Sequence, residues 1–155
     1  MSISLKDEIK QGKPFPSKGA EAMLSILRTA TILEHEQNEA LKPYGVTSTQ
    51  YNVLRILRGA GENGLCGREI GERLISKVPD VSRLLDRMDE VGLLTRERDP
   101  EDRRHVTARI STKGRKVLTD ATPALRAVEQ KRFRNVGSDV AASLISGLEA
   151  IRNSS

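Results

Sequence analysis

The chain has 155 residues, a net charge of +5 and a pI near 9.6, which fits one ordinary domain with extensions and hints at a polyanionic partner. A chain of this size buries about 70% of the surface it exposes when unfolded, so a core forms without covalent staples. One Cys excludes an internal disulfide framework, one Cys with two His excludes a structural zinc site, and 3% aromatic residues with no Trp leave little for stacking single-stranded bases.

Residues 1–16 read as a flexible arm, interrupted by Gly12, Pro14 and Pro16. Met1 to Lys10 lacks the apolar centre of a signal peptide, and no run approaches the ~20 apolar residues of a membrane helix, so a cytoplasmic protein is expected. Ser17 caps a first helix, with Met23, Ile26, Leu27, Ala30, Leu33 and Leu41 at helical spacing until Pro43 and Gly45. Thr47 and Gln50 stand at capping-box spacing before a second helix carrying Val53, Leu54, Ile56 and Leu57. A short third helix runs from about Gly67 to Ile75, with Ile70 and Leu74 inward. After a turn at 76–78, Pro79 suits the first position of a fourth helix. Its stripe is Val81, Leu84, Leu85, Met88 and Val91, and Gly92 suits the left-handed position beyond its end.

Two alternating segments follow, Leu93 to Arg98 and His105 to Ser111, around the turn signal Asp99-Pro100-Glu101-Asp102. They predict a hairpin with a charged tip. Thr112 opens a long helix that Pro123 kinks or divides. Gly137 and Ser138 precede a last helix whose inward face is Val140, Leu144, Ile145, Leu148 and Ile151. The fold class is therefore mainly α with an α+β wing.

The charge is uneven along this frame. Residues 1–20 carry +2, 21–54 carry −2, 55–115 carry +3 and 116–155 carry +2; 12 of the 14 basic residues in the third block are Arg. Arg offers a planar fork of donors that matches phosphates and guanine edges.

Two short helices, a tight turn between them and a charged hairpin describe a winged helix-turn-helix. The fourth helix has its apolar stripe on one side and Pro79, Ser82, Arg83, Asp86 and Arg87 on the other. A helix seated in the DNA major groove presents short polar and Arg side chains near its N-terminal end. The same pattern fits an ordinary amphipathic surface helix with Asp86 and Glu90 paired to its arginines. The hairpin tips the balance: Arg96, Arg98, Arg103, Arg104 and Arg109 lie on its strands and tip, and Arg is favoured in a narrow minor groove. Lys77, Arg73 and Lys113 are candidate phosphate contacts, and His105 stands beside the wing arginines.

One family is recognisable from ordered pieces. They are Gly45-Val46-Thr47-Ser48-Thr49-Gln50, Glu69-Ile70-Gly71, Val81-Ser82-Arg83-Leu84-Leu85-Asp86-Arg87-Met88, Gly92-Leu93-Leu94-Thr95-Arg96, Asp99-Pro100-Glu101-Asp102-Arg103-Arg104 and Ser111-Thr112-Lys113-Gly114. The stretch from Val46 to Gly114 resembles the MarR family of bacterial transcription regulators. No piece is specific alone; their order and spacing over about 70 residues are.

The resemblance implies a homodimer, paired through helices in residues 17–45 and 115–155, with 46–114 as the DNA-binding lobe on a pseudo-palindromic operator. It implies a repressor of nearby genes, released by a small aromatic acid or phenol bound between the dimer helices and the lobe. His35, Tyr44 and Tyr51 are the candidate effector contacts; core packing is the competing role for the tyrosines. Two positions depart from the family pattern: Gly71 stands where Ala is usual, and Cys66 where Ser or Thr usually caps the third helix.

Other readings are weaker. His35-Glu36-Gln37-Asn38-Glu39 lacks the second His of a zinc-protease helix, so no enzyme, metal or cofactor is called for. Cys66 at a helix N-terminus suits a thiolate, but it lies away from the first helix, where the family's oxidation sensors carry theirs. The remaining alternative is a winged-helix module binding an acidic protein.

Overall fold

A computed structural model describes residues 2–154. The elements in order are α1 (Leu5–Glu8), α2 (Lys18–Leu41), α3 (Ser48–Ala60), β1 (Leu65–Cys66), α4 (Gly67–Arg73), α5 (Val81–Glu90), β2 (Leu94–Arg98), β3 (Val106–Ile110), α6 (Thr112–Phe133) and α7 (Ser138–Arg152). No described helix is long and apolar enough to cross a membrane.

The local signals for helix starts act as their chemistry dictates. Ser17 Oγ accepts from the Ala20 N–H, and Ser111 Oγ accepts from the Gly114 N–H at 3.0 Å. The Thr47 capping box is complete: its hydroxyl accepts from the Gln50 N–H, and Gln50 Oε1 accepts from the Thr47 N–H. The arm is not wholly irregular. It forms the single turn α1, capped by Ser4, and Glu8 lies 3.6 Å from Arg28 of α2.

The sheet has a strand that the alternation does not reveal. β1, only two residues long, pairs antiparallel with β3, so the order is β1-β3-β2. The expected hairpin is present, with Leu94 opposite Ile110 and Arg98 opposite Val106. One core collects Leu41, the inner faces of α3 and α5, Ile70, Leu94, Ala108, Ile110, Leu118 and Ala121. Gly114 closes it. A Cβ there would sit 2.1 Å from the Leu93 carbonyl oxygen, so the first turn of α6 reaches the end of α5 only because that side chain is absent.

Four expectations need correction. Pro79 is not at the first helical position; Asp80 is the N-cap, its carboxylate accepting from the Arg83 N–H at 2.9 Å, and Val81 opens α5. An aspartate satisfies an orphan donor there, which a proline cannot. The third helix ends at Arg73, because Leu74 turns to extended backbone, and Ile75 falls outside it. Val91 lies beyond α5 and is exposed. Pro123 does not divide α6, which is continuous over 22 residues. Gly92 ends the turn after α5 at φ 78°, as expected.

The final helix differs most. α7 has no buried residue; Val140, Leu144, Ile145 and Ile151 are 48 to 62% exposed, so the face read as inward turns outward in the single chain. Met23, Leu24 and Leu27 of α2 and Phe133 of α6 are exposed in the same way.

Candidate nucleic-acid interface

α5 divides cleanly. Leu85 and Met88 are buried and Val81 and Leu84 half-buried against the core, which leaves Ser82, Arg83, Asp86 and Arg87 exposed. Lys77 and Pro79 are exposed in the preceding turn, and Arg73 at the end of α4. That turn is not loose. Asn52 Oδ1 of α3 accepts from the Ile75 N–H at 2.9 Å, fixing the turn to the body. Gly71, where the family usually has Ala, faces α5: a Cβ would lie 3.2 Å from Val81 Cγ2, so Gly lets the two helices approach closely.

The cations of this lobe differ in their partners. Arg73, Lys77, Arg83, Arg87, Arg98 and Arg103 make no ion pair among the described residues, nor do Arg55 and Arg58 of α3. Others are tied down. Arg96 is only 18% exposed on its side chain and pairs with Asp86, so it joins β2 to α5 and does not extend from the wing. Its Nε is buried without an acceptor. Arg109 donates to the Glu62 carbonyl at 2.7 Å and to Glu97 at 3.1 Å, stitching β3 to its neighbours. Lys113 donates to the Val91 carbonyl at 2.6 Å, satisfying a backbone acceptor just past α5.

The wing tip is braced from within. Asp99 Oδ1 accepts from the Glu101 N–H at 2.8 Å, and Asp102 Oδ1 accepts from both the Arg104 N–H and its Nε at 3.1 Å. Arg104 beside it holds the Asp102 carboxyl below the usual carboxylate range. His105 Nε2 lies 3.6 Å from the same carboxylate. Arg98 donates to the Arg103 carbonyl at 3.2 Å, which leaves the Arg103 side chain free at the tip. An open cleft of about 840 Å³ separates the wing from α4 and α5; Arg68, Ser82, Arg96, Arg104 and His105 stand on its walls.

The remaining candidates lie elsewhere. Tyr51 is 5% exposed, with its hydroxyl 2.7 Å from Thr122 Oγ1, so it is a core residue joining α3 to α6. Tyr44 is half-buried against that core, and His35 is exposed on α2. A smaller cavity of about 360 Å³ between α2 and α3 is walled by Glu34, Asn38, Lys42 and residues 46–49 and contains none of the three. Cys66 is half-buried at the start of α4, where its N–H donates to Glu69 at 2.9 Å; that bond lowers the Glu69 pKa. Sequence reasoning missed the Asp86–Arg96, Arg109–Glu62 and Asn52–Ile75 contacts. They join different elements, and no periodicity marks them.

A family model described as MarR family matches residues 44–105. The helix-turn-helix-type transcriptional regulator YkoM of Bacillus subtilis (strain 168) is 30% identical over 115 residues, 74% of this chain and 73% of the relative. The structure of a MarR transcription factor from Planctomyces limnophilus is 32% identical, with a TM-score of 0.68 over 88% of this chain and 99% of that one. A mutant of the E. coli regulator MarR, solved with operator DNA, shares the fold at 22% identity, with a TM-score of 0.73 over 96% of this chain and 99% of that one. These relatives are transcription regulators and not enzymes. With its three-stranded sheet, its capped α5 and these likenesses, the chain belongs to the MarR family of transcriptional regulators.

Proposed function

We propose that this chain is a cytoplasmic, homodimeric, sequence-specific repressor that seats α5 in the major groove and the wing against the minor groove of a pseudo-palindromic operator. The observation that carries this reading is the cluster of unpaired cations around α5, its turn and the wing tip. Lys77, Arg73, Arg83, Arg87 and Arg103 keep their charge available, and all belong to the turn, the helix end, the reading helix or the tip. The E. coli regulator of the same fold was solved on operator DNA, which supports the same partner here.

The geometry supports a role for each residue. Ser82 and Arg83, in the first turn of α5, face base edges, Arg83 with a fork suited to guanine. Pro79 packs at the groove entrance, and Arg87 reaches a base or phosphate one turn on. Lys77 and Arg73 contact phosphates and set the register. Arg103 enters the minor groove, with Arg98 and Arg104 shaping the tip. Arg96 holds the wing to α5 through Asp86, and Lys113 holds the end of α5; both act by positioning.

Residues 17–45 and 115–155 form the dimer region around the 46–114 lobe, with 1–16 as an arm alongside. The exposed apolar faces of α2, the end of α6 and α7 support self-pairing, since burial of such area drives association. A small aromatic or phenolic ligand near His35 and Tyr44 would release the operator by binding the DNA-incompetent arrangement better. Tyr51, buried and bonded to Thr122, belongs to the core and takes no part in such a site.

Selection of bound fragments from random DNA tests the reading. We expect a pseudo-palindrome with half-sites about 34–36 Å apart. Salt-dependent binding with no enriched sequence would overturn it in favour of an acidic protein partner.

A further inference from the structure

Neither the charged face of α5 nor the apolar faces of α2, α6 and α7 accounts for Ile75. Ile75 is 88% exposed, the most exposed of the large hydrophobic side chains in the described residues. Most of the others that are exposed lie on the arm, α2, the end of α6 or α7. Ile75 lies instead in the turn between α4 and α5, five residues before the Asp80 cap of the reading helix. Elsewhere in the lobe, large apolar side chains are at least half-buried, Val91 apart.

This isoleucine does not sit on a floppy segment. Its N–H donates to Asn52 Oδ1 at 2.9 Å, so α3 holds the turn and presents the side chain outward at a set place. Its surroundings are cationic and unpaired: Arg73 two residues before, Lys77 two residues after. An apolar group between two free cations fits a polyanion that also carries apolar surface, which describes duplex DNA at the edge of its major groove. Thymine offers a 5-methyl there, and the deoxyribose offers a C–H face. A second copy of this chain, itself basic, would gain nothing from the flanking positive charges.

We infer that Ile75 is an apolar DNA contact, packing on a thymine methyl or a sugar edge beside the half-site that α5 reads. This rests on the DNA-binding reading above. Ile75 adds affinity without charge, so its contribution is insensitive to salt, unlike that of Lys77.

The test uses the full-length protein and the duplex selected from random DNA. Ile75→Ala should bind about tenfold more weakly, as expected for loss of a largely buried aliphatic contact. Its thermal midpoint and its salt slope should match the parent, and Ile75→Leu should restore affinity. Lys77→Ala, run alongside, should flatten the salt slope. Each thymine of the half-site is then replaced by uracil. A drop of about fourfold at one position, seen with the parent and absent with Ile75→Ala, assigns the methyl. No uracil effect, with an equal loss on all duplexes, assigns the sugar edge. Unchanged affinity of Ile75→Ala, a lowered thermal midpoint that accounts for the loss, or weakened self-association in sedimentation overturns the inference. Failure of the parent itself to bind any DNA would sink the underlying functional reading instead.

Discussion

α5 and α7 are both amphipathic helices, and they finish in opposite ways. α5 lays Leu85 and Met88 into the core of its own chain and turns its charged side out. α7 turns Val140, Leu144, Ile145 and Ile151 out and buries nothing. Periodicity shows the same kind of stripe in both. The difference lies in what covers the stripe: for α5, elements within 60 residues of the same chain; for α7, nothing described in a single copy. One helix is complete and offers charge to a partner, while the other is incomplete and offers apolar area.

Substitutions break this contrast in order of size. The largest effect belongs to the closure of the lobe. Gly114→Ala forces a Cβ against the Leu93 carbonyl and should destabilise by about 3 kcal/mol or more, read from urea unfolding. Leu85→Ala, which empties a fully buried site, should cost about 2–5 kcal/mol in the same assay. If either unfolds like the parent, α5 is not anchored as described. On α7 the outcome should be different in kind. Leu144→Glu with Ile145→Glu should leave the lobe folded and convert dimer to monomer in sedimentation equilibrium; an unchanged dimer would remove α7 from the interface.

The wing gives a smaller and sharper comparison. Arg103→Ala should weaken binding to all sequences and lower the salt slope by about 1, whereas Arg104, already paired with Asp102, should contribute less. Equal effects would show that the ion pair opens on binding.

The smallest effect concerns acid. Glu36 of α2 pairs with Arg132 and Lys131 at the end of α6, and Arg132 beside it lowers its pKa from 4.5 to about 2. A depressed carboxylate pKa adds stability above the unfolded value and loses it as pH falls from about 4.5 towards 2. Glu36→Gln should therefore reduce the pH dependence of the thermal midpoint in that window and leave neutral pH nearly unchanged. An identical acid profile in both proteins would show that the α2–α6 pair carries none of it.

Much of the fold was legible because its signals are local. The Thr47–Gln50 box, the Ser17 and Ser111 caps and the α5 stripe each lie within a turn or two of chain. β1 was not legible: two residues carry no alternation, and their pairing with β3 is made across 40 residues of chain. The start of α5 was misread because Pro79 and Asp80 both satisfy a rule for helix starts, and the carboxylate that accepts a real hydrogen bond prevails. In the candidate site, the exposed cations of α5 and its turn could be read from the wheel. Which arginines were already spent on acids could not, since Arg96 meets Asp86 and Arg109 meets Glu97 through the folded sheet.

The direct test of the central claim is competition binding of the parent and Arg83→Ala against duplexes carrying every single-base change in one half-site. Arg83→Ala should lose about 1–3 kcal/mol of discrimination at one base pair while keeping the parent's ranking elsewhere. A variant that discriminates at every position as the parent does would show that the exposed face of α5 does not read DNA.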